Sequence, residues 1–270
     1  MVSISNAQVA LSLFPTSSGS INYASLFSGS SSSAGGAYDA STVHVAISQA
    51  EKNEAKQLAQ VAKDPIVQRD LARYQKVVAS AKSMEDVLDD PVARQVFMKA
   101  NGLGADVNNV GLAKRALMSD PFSADGLAFK LSSINGTWLA TARTYNTDLL
   151  GVGVLQTTDA LKEISENYVA EKRLDMLDQQ LPGLGTALLF KKQASTFDET
   201  IKILGSKLGR EVGTTALGIP KEIAIQSLFA QEKAVNSRLK IENLQDPAFV
   251  DKLAQRYLLA YNGVLGGVSA

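Results

Sequence analysis

The stretch 100-ANGLGADVNNVGLA-113 has the pattern of a helix that ends, a glycine, and a second helix that begins. The stretch 216-ALGIPKEIAIQSLF-229 has nearly the same pattern later in the chain. A glycine after an apolar helical run is typical of a left-handed helix end, because glycine has no Cβ to clash there. The chain therefore contains one type of helix junction twice, at Gly102 and at Gly218.

A shift of 116 positions, from Gly102 to Gly218, aligns the two halves of the chain without a gap. The aligned pairs include Tyr74 with Phe190, Lys76 with Lys192, Leu88 with Leu204, Arg94 with Arg210, Val96 with Val212, Ala100 with Ala216, Leu112 with Leu228 and Tyr145-Asn146 with Tyr261-Asn262. These matches keep helix ends and apolar faces in register, which favours an internal duplication. Two unrelated helical hairpins that look alike are the alternative.

The fold class follows from hydrophobic spacing. From Thr42 onward apolar residues recur every three or four positions, and the alternation typical of strands is scarce. We therefore predict an all-α protein, a pseudo-duplicated multi-helix domain with a disordered N-terminal arm. Its expected divisions are the arm at 1–40, a first helical half at 41–150 and a second helical half at 151–265, which repeats the first with an offset of 116.

Start and stop signals predict individual helices. Asp64-Pro65 and Asp90-Pro91 each combine a capping residue with proline at the first helical position, and Ser83 with Asp86 resembles a capping box. The expected helices include 42–63, 135–146, the longest one at 158–180, and then 185–194, 197–206, 207–217, 221–230, 232–239 and 247–262, with a Gly/Val-rich link at 147–156.

The N-terminal arm has an unusual composition. Residues 1–38 contain no charged side chain, and 27-FSGSSSSAGGAY-38 is rich in Ser and Gly. Such a segment buries too little apolar surface to offset its ordering entropy, so we expect residues 15–40 to be flexible. The apolar segment Val9–Phe14 is a candidate for docking, either in this molecule or on a partner.

Composition excludes several function classes. Lys+Arg and Asp+Glu balance at 27 each, which argues against nucleic acid as a partner. No apolar run reaches the roughly 18–20 residues that span a bilayer, so membrane insertion is not expected. The chain has no cysteine, which rules out disulfides and thiolate chemistry and suits either the cytoplasm or export of an unfolded chain.

No residue pattern predicts catalysis. His44 is the only histidine, and it lacks the partners of a triad or a zinc site. The acidic pairs Glu85-Asp86 and Asp89-Asp90 lack calcium-loop spacing and lie where helices begin, where carboxylates cap free amides. Gly151-Val-Gly153 and Gly183-Leu-Gly185 lack the rest of a phosphate-loop motif. We predict no catalytic, cofactor-binding or metal-binding residues and no cofactor.

Two further groups of residues have more than one interpretation. Trp138, Phe122, Phe129 and Tyr145 form an aromatic group that is typical of a core, with a partner-binding groove as the alternative. The helix at 158–180 has charged residues around its apolar stripe: Glu163, Glu166, Glu171, Lys172, Arg173 and Asp175. They favour a solvated face, with a helix–helix contact as the alternative.

The run 185–262 resembles an uncharacterised bacterial family, domain of unknown function number 1217. The similar features are the apolar-aromatic helix at Ala187–Phe190, the Leu217-Gly218 helix end and the step Leu244–Pro247. The resemblance extends over 65–262 and leaves the arm outside. It implies relatives found mainly in alphaproteobacteria and often encoded among flagellar genes, and it transfers no catalytic residue.

The lack of a catalytic pattern predicts a non-enzymatic protein, and the resemblance implies a flagellum-associated structural or assembly role. Export by the flagellar type III route would place it in the flagellum or outside the cell, with other flagellar or export proteins as partners. The alternative is a cytoplasmic adaptor or chaperone for flagellar export substrates. Homo-oligomers are left open.

Overall fold

The computed structural model describes residues 38–264, and these form α-helices and short 3-10 helices with no β-strand among them. The prediction of an all-α chain is confirmed. The helices up to the middle of the chain are α1 (Ala40–Lys52), α2 (Glu54–Val61), α3 (Pro65–Ser80), α4 (Met84–Asp89), α5 (Pro91–Ala100), α6 (Val110–Leu117), α7 (Leu127–Leu131), α8 (Thr137–Tyr145) and α9 (Thr147–Leu150).

The later helices are α10 (Thr158–Gln180), α11 (Leu184–Gln193), α12 (Thr200–Gly205), α13 (Lys207–Leu217), α14 (Leu228–Asn236) and α15 (Pro247–Tyr261). Among the described residues, five 3-10 segments lie between helices of the two halves: Gly104–Asp106, Val152–Gln156, Ala194–Thr196, Lys221–Ile225 and Ile241–Gln245. The segment predicted to be flexible, 15–40, lies almost wholly outside the described residues, which begin at Tyr38.

Helix starts follow the local signals in the sequence. The Asp90 carboxylate accepts hydrogen bonds from the N–H groups of Val92 (3.0 Å) and Ala93 (2.9 Å), and Pro91 occupies the first position of α5. Asp64 before α3 and Asp246 before α15 cap in the same way. A proline at this position sacrifices no helical hydrogen bond, because the first amides of a helix lack partners.

Several predicted boundaries are wrong. The helix expected at 42–63 is interrupted at Asn53, because α1 and α2 pack against different parts of the molecule. Helices at 221–230 and 232–239 are replaced by the 3-10 segment Lys221–Ile225 and by α14, which begins where the Ser227 hydroxyl accepts the Ala230 N–H at 3.3 Å. The link at 147–156 contains α9 and a 3-10 segment.

The buried apolar residues form two cores. The first core extends from Val61 to Val169 and includes α3 to α6. The second core consists of residues of α1 together with Leu177 to Leu258. The long helix α10 belongs to both, since Ile164 and Tyr168 lie in the first core and Leu177 in the second. Although α1 precedes the first half in sequence, it packs in the core of the second.

The two helix junctions that resemble each other in sequence have the same backbone geometry. Gly102 (φ 70°) and Gly218 (φ 63°) are both left-handed, as predicted. The N–H of Leu103 donates to the Met98 carbonyl at 2.7 Å, and the N–H of Ile219 donates to the Thr214 carbonyl at 2.8 Å. Both bonds span five residues, which is the pattern of a Schellman helix end.

A second match lies at the start of the same helices. The Arg94 Nη1 donates to the Leu88 carbonyl at 2.6 Å, and the Arg210 Nη1 donates to the Leu204 carbonyl. Each acceptor is the aligned counterpart of the other under the shift of 116 positions. The helix pairs α4–α5 and α12–α13 are therefore held at their corner by the same contact.

Candidate interaction surface

His44 and the acidic pairs take structural positions. His44 is exposed on α1, and its Nδ1 lies 3.3 Å from the Gln255 Nε2. Asp86 belongs to the predicted capping box, and hydrogen bonds from the N–H groups of Lys82 and Ser83 hold the pKa of its carboxyl below the usual range. Glu85 forms no cap and lies instead 2.8 Å from the Lys114 ammonium.

The second acidic pair divides in the same manner. Asp90 caps α5, as predicted, whereas Asp89 forms an ion pair with Lys114 at 2.7 Å. Lys114 thus bridges Glu85 and Asp89, and hydrogen bonds to these two carboxylates raise the pKa of its ammonium. The expectation that both pairs serve as caps is right for Asp86 and Asp90 and wrong for Glu85 and Asp89.

The segment Gly183-Leu-Gly185 is a helix crossing. A Cβ built on Gly185 would lie 2.7 Å from the Leu174 carbonyl oxygen, so only glycine allows α11 to approach α10 this closely. The Gly185 N–H donates to the Asp178 carboxylate at 2.7 Å. The amide that would face a phosphate in a binding loop is therefore already occupied by a carboxylate of the same chain.

The aromatic group predicted as core is divided. Trp138 and Tyr145 are buried, and the Tyr145 ring packs against Phe97 with 5.2 Å between centroids. Phe122 and Phe129 are exposed, so the core interpretation is wrong for these two. They belong to the connection between α6 and α8, which lies over the surface of the first core, and the Arg143 guanidinium lies 5.5 Å above the Phe122 ring.

The predicted solvated face of α10 contains a buried cation. Arg173 is 3% exposed, and it donates to the Gln57 Oε1 at 2.9 Å and to the Ala50 carbonyl at 2.6 Å. Burial lowers the pKa of the guanidinium, whereas Glu54 and Glu51 raise it. The solvated-face interpretation is wrong for Arg173, because α1 and α2 fold back over this side of α10.

A network of charges surrounds this cation. Lys191 of α11 pairs with Glu51 of α1 and with Asp251 of α15, and Lys192 pairs with Glu54. A depression between α1, α2, α10 and α11 is lined by Arg173 and Leu188 together with Glu51, Glu54, Lys191 and Lys192. The network fastens the first helix to the second half, since each of its cations has a carboxylate partner.

The opposite side of α10 carries a carboxyl with an altered pKa. Burial, together with the nearby carboxylates of Asp175 and Asp178, raises the pKa of Glu171 to about 7. The Lys99 ammonium acts in the opposite direction and lowers this pKa. The Lys99 ammonium is paired with Asp175 at 2.5 Å. The sequence indicated neither this desolvation nor the partner, because Lys99 is distant along the chain.

The second half exposes an apolar segment that sequence reasoning missed. Every residue from 224 to 229 is exposed, with exposed fractions of 90% for Ile225, 50% for Leu228 and 75% for Phe229. We call these three side chains the apolar patch. Contiguous exposed apolar side chains mark binding surfaces more often than single ones do. The available signal was the charge-free run 223-IAIQSLFAQ-231, most of which lies in the helix predicted at 221–230.

No helix among residues 38–264 has both the length and the apolar character needed to cross a bilayer. In the same residues, no group of three or more His, Asp or Glu side chains is placed to hold a metal ion.

Comparison with known proteins places the chain in a family. The model of the family described as "Protein of unknown function (DUF1217)" matches residues 100–250. The crystal structure of protein AGR_C_984 from Agrobacterium tumefaciens is similar with a TM-score of 0.66 and 21% identity, over 86% of this chain and 97% of that one, which shows a shared fold. No curated protein matches. Because the family match extends over more than half of its residues, the chain belongs to the DUF1217 family of proteins of unknown function.

Proposed function

We propose that the protein is a non-enzymatic component of the bacterial flagellum that acts by binding other proteins, in flagellar structure or in its assembly. The observation that carries the binding role is the apolar patch of Ile225, Leu228 and Phe229, which the described chain leaves uncovered. Burying such side chains releases roughly 1.5–3 kcal/mol each, so a surface of this kind suits a protein partner.

The flagellar part of the proposal has a different support. The family resemblance implies relatives found mainly in alphaproteobacteria and often encoded among flagellar genes. Two features of this chain agree with export by the flagellar type III route. Residues 1–38 carry no charge, and the chain has no cysteine that would cross-link an unfolded polypeptide in transit.

The alternative is a cytoplasmic adaptor or chaperone for export substrates. The same apolar patch favours it, because a chaperone also presents apolar side chains to its clients. The two functions differ in where the intact protein is found in a motile cell.

Fractionation of motile cells tests the proposal. We expect full-length protein in the flagellar or extracellular fraction, and a variant lacking residues 2–38 as a folded protein in the cytoplasm. Full-length protein confined to the cytoplasm would refute export and favour the adaptor.

Swimming motility tests the patch independently of export. Phe229→Gln should reduce swimming without changing the thermal melt, since the exposed ring contributes little to the core. The matched control is Ile66→Gln, at a side chain that is 56% exposed on the first half. Equal motility of the two variants would contradict a binding role for the patch.

A further inference from the structure

Two residues of the apolar patch have covered counterparts in the first half: under the shift of 116 positions Leu228 aligns with Leu112, which packs against the first core, and Phe229 aligns with the buried Ala113. There, α7 packs against both α6 and α8, and its residues Leu127 and Leu131 lie against the first core. The corresponding helix of the second half is α14, which follows a Schellman helix end and a 3-10 segment as α6 does. The first half thus covers its helix with a short apolar segment of its own chain.

The second half has no such segment among the described residues. Its connection between α14 and α15, residues 237–246, is shorter than residues 118–136 and contains the 3-10 segment Ile241–Gln245 in place of a helix. That 3-10 segment packs against α15 and against Ala194–Thr196. Leu228 and Phe229 consequently face solvent at the start of α14.

We propose that residues Val9–Phe14 of the same chain cover the apolar patch until a partner displaces them. Their sequence, VALSLF, has apolar side chains at five of its six positions, and the neighbouring residues of the arm are uncharged. The patch lies in a run, 223–231, that is also free of charge. Burial of one against the other removes apolar surface from water without desolvating an ionised group. This inference does not rest on the flagellar proposal.

The point where the described chain begins agrees with this occupant. Tyr38 packs against the second core, and Ile223, next to the patch, packs against the same core. Residues 15–37 join Val9–Phe14 to Tyr38 and can extend on the order of 75 Å. That reach exceeds the diameter of a domain of this size, roughly 45 Å. The segment therefore reaches the patch of its own molecule without strain.

Engineered cysteines test the contact directly, because the chain has none of its own. We expect Leu11→Cys with Ile225→Cys to form a disulfide within one chain under mild oxidation, seen as a faster monomer on a non-reducing gel. The control pairs Leu11→Cys with Asp125→Cys, an exposed site on the first half, and should give a much lower yield. Equal yields for both pairs, no link, or links only between two chains would overturn the proposal.

Hydrogen exchange supplies a second test that leaves the folded domain unaltered. In the full chain, replacing Leu13 and Phe14 with serine should remove protection from the amides of residues 224–231. The matched control replaces Leu26 and Phe27, the same dipeptide after a serine, and should leave that protection unchanged. No loss in the first variant, or an equal loss in both, would contradict docking by Val9–Phe14.

Discussion

The two halves of the molecule have the same helix corner but complete it differently. In the first half Arg94 donates through Nε to the Val107 carbonyl at 2.9 Å, within its own half. In the second half Arg210 donates through Nη2 to the Ile134 carbonyl at 2.5 Å, in the connection between α6 and α8. The same residue type at the same repeat position closes a local turn in one half and joins the two halves in the other.

The leading helices show a related exchange. α1 packs in the second core, and the start of α10 packs in the first. Gln57 and Arg173, which are 116 positions apart, hydrogen-bond to each other. Equivalent residues that touch each other are expected at a two-fold axis and not in a translational repeat. The two halves are therefore bound together through exchanged elements, so we expect them to unfold as one unit.

Arg173→Met should have the largest effect and would break the exchange. Its loss leaves the buried Gln57 amide and the Ala50 carbonyl without their donor, at a cost of roughly 2–5 kcal/mol. Chemical denaturation measures the change, with Lys202→Met, which removes an exposed pair with Asp198, as a control expected to cost about 0.5 kcal/mol or less. Similar losses of unfolding free energy in both variants would show that the contacts of Arg173 stabilise the fold no more than an exposed ion pair does.

Glu171→Gln should alter the pH dependence of stability. The folded pKa of Glu171, about 7, lies above its ordinary value of 4.5, so the folded state holds more protons and this group's contribution to stability falls as pH rises between these values. The variant should be more stable than wild type at pH 8 by on the order of 1–3 kcal/mol, and equal to it near pH 4. Denaturation at pH 4 and at pH 8 measures the difference in unfolding free energy between the variant and wild type. The same difference at both pH values would contradict a raised pKa of Glu171.

Gly102→Val and Gly218→Val test the feature that the halves share. Each should destabilise by about 1 kcal/mol or more, because a β-branched residue resists positive φ. Neither site is crowded: a Cβ on Gly102 would approach Thr137 at 3.5 Å, and one on Gly218 would meet nothing within 4 Å. The cost should therefore be alike in the two halves. Gly111→Ala, in helical conformation, is the control and should not destabilise.

Tyr74→Phe should have the smallest effect and would sharpen the comparison of the two cores. The Tyr74 hydroxyl is buried without a hydrogen-bond partner, and its counterpart in the second half is Phe190. Removing an unpaired buried hydroxyl should leave the melting temperature unchanged or raise it. Tyr168→Phe, which loses a 2.9 Å bond to Asp70, should cost about 1 kcal/mol. The reverse order of the two melts would contradict these assignments.

Local signals in the sequence predicted much of the helical framework. The longest helix was predicted at 158–180 and is Thr158–Gln180, because the cap at Thr157 and an apolar stripe act within single turns. Boundaries failed where the deciding interaction was a tertiary contact or a cap inside an apolar run. Asn53 interrupts a continuous helical pattern, and Ser227 starts α14 later than the apolar spacing suggests.

The candidate surface was less predictable. Phe122 and Phe229 are both apolar residues in helical sequence patterns, and nothing in their spacing distinguishes them from buried Trp138. Exposure depends on which other segment covers a side chain, and the covering segment is distant along the chain. For the same reason, the sequence pattern assigned Arg173 to a solvated face, whereas α1 and α2 enclose it in the structure.

By itself, the sequence determined the all-α class, the aspartate caps of α3 and α5, and the left-handed ends at Gly102 and Gly218. These features depend on backbone sterics and on hydrogen bonds between near neighbours. Tertiary packing places α1 in the second core, buries Arg173 and leaves Ile225, Leu228 and Phe229 uncovered by the described residues. Burial and desolvation arise from residues far apart in the chain, so they are properties of the assembled fold.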